Sequence, residues 1–166
     1  SYVKIKPEFV VGSVTHTVET YRETLVGKKL TGSESGVTAK VVGSAAATTS
    51  DELTLFVKYE QSNTPAATST LSADQGTTFY KFKNGENIQI DTAFTYTHST
   101  AGSQTFTTNS EVCEAIDSSA CGTGSSASVQ KGVFYIRGSF VQTTAQTIVL
   151  DKYSNSPSYR VGFQVT

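Results

Sequence analysis

Two cysteines, two histidines and a short acidic run carry most of the chemistry this chain has to offer. Cys113 and Cys121 fall within EVCEAIDSSAC. A bridge between them would close a small loop and stabilise by roughly 2–3 kcal/mol, given an oxidising compartment. The competing expectation is a free thiol and a loop-packing thiol. Two Cys with His16 and His98 far away in sequence match no zinc-ligand spacing, so no metal site is expected. Either histidine could serve as a general base, yet neither has a nucleophile elbow or a motif-borne Asp beside it. Glu111, Glu114 and Asp117 are close in sequence, but their spacing fits no calcium loop, and a solvated acidic stretch is the default.

Other residues matter for binding or support. A glycosidase pair is defined by separation in space, so sequence alone leaves it open. Arg137 shares a strand face with Val133, Tyr135 and Val141, and Asp151 on the following strand is its nearest carboxylate, which suggests a structural ion pair. Tyr80, Tyr96 and Tyr153 would stack on sugars if they face outward. Neither a phosphate-cradling loop nor a dinucleotide fingerprint occurs, and no cofactor is expected.

The elements that must position these residues read as strands. Charged residues are only 16%, while Thr, Val and Tyr are frequent, a balance that favours extended chain. A net charge of −1 with no Lys/Arg cluster disfavours nucleic acid. No apolar run approaches the roughly 20 residues of a membrane span. The chain contains no Met and its last run still alternates, so it reads as an internal fragment of a longer multidomain protein, a single β-rich domain over residues 1–166.

In the C-terminal stretch, Tyr159, Val161, Phe163 and Val165 alternate with polar positions. With Gly132 to Gln142 and Gln146 to Tyr153, they suggest a three-stranded sheet nucleus. Tyr2 to Lys6 reads as a strand ending at Pro7, and Phe9-Val10-Val11 opens another. Ser13 to Lys29 favours strand over a helix closed at Gly27. Val37 to Val42 and Leu53 to Tyr59 suggest a hairpin with a wide loop. Thr78 to Phe82 and Ile88 to Thr92 give the clearest hairpin signal, turning at Asn84-Gly85. Gln61 to Gly76 and Ser99 to Lys131 read as two long polar loops, the second with room for a short helix over Glu111 to Ile116. The expected fold is all-β, an antiparallel sandwich or barrel-like sheets.

The runs GVFYIRG (Gly132–Gly138), QTIVLDKY (Gln146–Tyr153) and PSYRVG (Pro157–Gly162), with GVTA (Gly36–Ala39) and LTLFVKY (Leu53–Tyr59), resemble a structural domain of tailed-bacteriophage virion proteins, as in contractile-tailed cyanophages. The resemblance covers Leu25 to Thr166, poorly in the two loops. It implies a tail, baseplate or fibre-associated protein located in the virion and assembled in the host cytoplasm, contacting other virion proteins and forming homo-oligomers. It supplies no catalytic residue, and the two cysteines are not part of it. The expected function is therefore a non-enzymatic structural and interaction module. A glycan-binding host-attachment module and an adhesin or pilus-type β subunit built by donor-strand assembly are the alternatives.

Overall fold

The structure is a computed structural model that describes residues 1–65, 76–151, 154 and 156–162. It is nearly all β, with antiparallel pairing throughout. The chain forms two compact units, Ser1–Gly122 and Thr123–Thr166.

In the first unit the strands are β1 (Tyr2–Ile5), β2 (Glu8–Val11), β3 (Val14–Thr17), β4 (Lys29–Gly32), β5 (Thr38–Ala45), β6 (Leu53–Gln61), β7 (Asn87–Ile90), β8 (Phe94–His98), β9 (Gly102–Phe106), β10 (Glu111–Glu114) and β11 (Cys121–Gly122). Seven of them form one sheet in the order β10-β7-β4-β5-β6-β1-β11, and β2–β3 and β8–β9 are separate two-stranded sheets. Alternation sets the inner face: Val3 and Ile5 on β1, Leu30 on β4, and Ile88 and Ile90 on β7 are buried while their strand neighbours are not. β6 is buried at five consecutive positions from Leu53 to Val57, as a strand covered on both faces should be.

The large sheet curls. An isolated bridge joins Ile5 to Ala115, and backbone bonds Lys6 N–H to Glu114 O (2.9 Å) and Ile116 N–H to Lys4 O (3.1 Å) tie the end of β10 to β1. This brings two non-neighbouring strands together without a continuous ladder, so no closed barrel results. Val18 and Leu25, on the 3₁₀ turns Val18–Thr20 and Arg22–Leu25, join the core with Tyr21 between the turns.

Several local expectations change. The Val37–Val42 and Leu53–Tyr59 hairpin forms as β5–β6. Ser13 to Lys29 splits into β3 and the two 3₁₀ turns, closed by Gly27 at φ 87°. Glu111 to Ile116 is not helical: it is held as β10 against β7. Thr78 to Phe82 does not form a hairpin with β7, which instead lies between β4 and β10. Only Phe79 bridges, to Asn63. The stretch from Ser99 to Lys131 is not one long loop, since β9, β10, β11 and β12 all fall within it, and most of Gln61 to Gly76 lies outside the described residues.

The second unit contains β12 (Ser125–Val129), β13 (Gly132–Ile136), β14 (Ser139–Thr143) and β15 (Gln146–Asp151). They pair as two ribbons, β12–β15 and β13–β14. The run Gly132 to Gln142 is thus a hairpin and not one strand. Arg137 (φ 49°) and Gly138 (φ 86°) occupy its two-residue turn, which needs left-handed backbone at both central positions. Tyr159 to Gly162 are in no strand, and the end of the alternating run, from Phe163, lies outside the described residues.

Candidate functional site

In the first unit Tyr21, Phe94, Tyr96 and Phe106 form one aromatic cluster with His16. Phe9 on β2 pairs opposite His16 on β3, and Tyr96 on β8 lies two positions before His98. His16 is almost fully buried, and its Nδ1 meets the Tyr96 hydroxyl at 2.5 Å. Its ring lies 5.0 Å from Phe106 and 5.8 Å from His98, centre to centre. Tyr21 packs on Phe94, Tyr96 and Phe106, and donates its hydroxyl to Val112 O at 2.7 Å. Burial, with the nearby His98 second, lowers the His16 pKa from its ordinary 6.5.

His98 holds a turn together. Its Nδ1 accepts the N–H groups of Thr100 (3.2 Å) and Ala101 (3.0 Å), leaving Nε2–H to donate to Thr15 O at 2.9 Å. That pattern fixes the neutral tautomer.

Beside this cluster runs a groove of about 480 Å³, bordered by Phe9 to Gly12, His16, Gln104 to Thr107, Ser110 and Glu111. Consecutive residues of β2 and β9 line it, so residues facing both sides of each strand border the opening. Among the described residues β2 pairs only with β3, and β9 only with β8. Among the described residues no Lys or Arg borders the groove, and Glu111 is the one carboxylate that does. The partner that orients His16 is a phenol, that of Tyr96.

A second buried polar cluster surrounds Glu86, which is fully buried. Its carboxylate accepts from Lys83 N–H (2.7 Å), Ser35 Oγ (2.8 Å), Ser35 N–H (2.9 Å) and Glu34 N–H (3.1 Å). At Gly32 a Cβ would stand 2.5 and 2.6 Å from the carboxylate oxygens, so only glycine fits beside it. The expected Asn84-Gly85 turn does form, with Gly85 at φ 71°, but it presents Glu86 to this cage instead of joining a hairpin. All four bonds are internal, which makes Glu86 a structural anchor. Sequence reading missed both Glu86 and the His16–Tyr96 pair. A lone Glu just after an Asn-Gly turn was the available signal for the first; 80 residues separate the second pair.

The sites expected from sequence are mostly kept apart. The Cys113–Cys121 bridge does not form: both are free thiols. Cys113 is buried on β10 opposite Ile88, whereas Cys121 sits on β11 opposite Val3, with its Sγ 3.3 Å from the Tyr59 hydroxyl. Burial pushes the Cys113 thiol up to about 12 and raises Cys121 as well. The Arg137–Asp151 pair does not form either. Arg137 is in the β13–β14 turn, and Asp151 ends β15, where it accepts from Ser154 N–H at 2.8 Å. Among the proposed sugar platforms, Tyr80 is 72% exposed, Tyr96 is buried under the aromatic cluster, and Tyr153 lies outside the described residues. The acidic run is split among partners: Glu111 takes Asn87 Nδ2 at 2.8 Å, while Glu114 and Asp117 flank Lys6 at 2.6 and 2.9 Å. Among the described residues, no group of three or more His, Cys, Asp and Glu could hold a metal ion.

Comparison with protein-family models, with curated proteins and with solved structures finds no match for this chain.

Proposed function

We propose that this chain is a non-enzymatic structural and interaction module of a bacteriophage tail, baseplate or fibre protein, which acts by docking onto other subunits. The observation that carries the docking reading is in the second unit: none of its described residues is buried. Two-stranded ribbons are at best marginally stable alone in water. These ribbons also expose Val133, Phe134, Tyr135, Phe140 (78% exposed) and Ile148. Apolar side chains shown in this density mark contact surfaces.

The strand edges support the same reading. β12, β13 and β14 contain no charged residue, and β15 has only its final Asp151. Edges without charge or proline invite pairing with another chain. The assignment to a phage particle rests on the sequence resemblance alone. Its test is sedimentation of the native source material, with this polypeptide followed through the gradient by peptide mass spectrometry. Co-migration with particles of virion size is the expected result. Recovery only in light soluble fractions would overturn the virion assignment.

A further inference from the structure

The groove between β2 and β9 and the segment Tyr159–Gly162 fit one another as acceptor and donor. Among the described residues, the acceptor has two strand edges without a ladder partner, apolar walls from Phe9, Val10, Val11 and Phe106, and one carboxylate, Glu111. Val10 is 61% exposed there. The donor keeps the strict alternation of a strand yet belongs to no strand among the described residues of its own unit, where Val161 and Gly162 border a cavity beside β12 and β15. Tyr159 and Val161 are exposed, and Arg160 between them is basic. Charge points the same way: the first unit holds nine Lys and Arg against thirteen Asp and Glu, and the second holds four against one.

We propose that the groove between β2 and β9 accepts the Tyr159–Gly162 segment of a second copy of this chain as an added strand. Backbone hydrogen bonds to the two free edges would supply affinity, alternate side chains Tyr159 and Val161 specificity, and Arg160 complementarity to Glu111. Such a contact joins different surfaces of two copies, so it propagates head to tail unless the rotation closes a ring. The inference rests on the docking reading above and names its partner and site.

The test is analytical ultracentrifugation of the full chain across a concentration series, with three single variants. Val10→Lys places a charge on the exposed groove wall, Val161→Lys alters the donor, and Val26→Lys, on an exposed valine outside the groove lining, is the control. Self-association is expected in the parent chain, with its midpoint raised at least tenfold by Val10→Lys and by Val161→Lys and unchanged by Val26→Lys. Association that survives both groove and donor variants would overturn this inference and leave the docking reading intact. A parent chain that stays monomeric throughout would overturn this inference, while the docking reading would be decided by the sedimentation experiment. A synthetic peptide SPSYRVGFQVT should compete with self-association of the parent chain; a peptide without effect would also count against the strand assignment.

Discussion

Glu86 shows how much one side chain can organise. Its carboxylate takes two backbone N–H groups from the turn after β4, one from Lys83, and the Ser35 hydroxyl, all without contact with water. Glu86→Ala would leave those donors unpaired in a buried site, and at about 1–3 kcal/mol for each unsatisfied group the loss should reach at least about 3 kcal/mol in urea unfolding. Gly32→Ala should be comparably damaging, because the added methyl meets the carboxylate itself. His16 sets a pH dependence. Its folded pKa is depressed below the ordinary 6.5, so the native state favours the neutral ring and the unfolded chain takes up the proton first. Its contribution is therefore present above about pH 6.5 and falls away as pH drops through the folded value. Melting temperatures at pH 7.5 and 5.5 should diverge in the parent chain and diverge less in His16→Gln, which keeps a polar partner for Tyr96.

At the scale of elements, the two cysteines are separated by the strands that carry them. With Cys113 facing the core from β10 and Cys121 on β11, reductant should leave the melting temperature unchanged, since no bridge is present to break. A thiol-specific disulfide reagent should label Cys113 only after unfolding, because burial holds its pKa near 12 and keeps the thiolate scarce. The Tyr21 hydroxyl fastens the 3₁₀ turns to β10 through Val112 O, so Tyr21→Phe should cost about 1 kcal/mol in the same unfolding assay. Strand character was legible where alternation was clean, as in β1, β5, β6 and β7. It was not legible in β10, where Glu111 and Glu114 flank the buried Val112 and Cys113 in a pattern that suits a helical turn equally well. Pairing was less visible still. β7 neighbours β4 and β10 rather than the run just before it, because Glu86 draws the intervening turn into its cage. The His16 groove needed β2, β3 and β9 brought together, and no local pattern encodes contacts of that sequence separation.

At the scale of the whole molecule, the buried residues divide as unevenly as the charges. Every described residue that is buried belongs to Ser1–Gly122, including the aromatic cluster, the Glu86 cage and the inner face of the curled sheet. The ribbons of Thr123–Thr166 have pairing without a core. Backbone hydrogen bonds contribute modestly once exchange with water is counted, so cooperative stability must come from burial. Residues 1–122 expressed alone should therefore unfold in one cooperative transition when followed by circular dichroism against urea. Residues 123–166 alone should show no such transition at low concentration, and gain one only as their exposed apolar strands find partners. A sharp, concentration-independent transition in the isolated second unit would mean that its ribbons are self-sufficient, and would remove the main physical reason for regarding them as docking elements. Loss of folding by residues 1–122 would instead place part of the stabilising burial beyond Gly122, contrary to the distribution of its core.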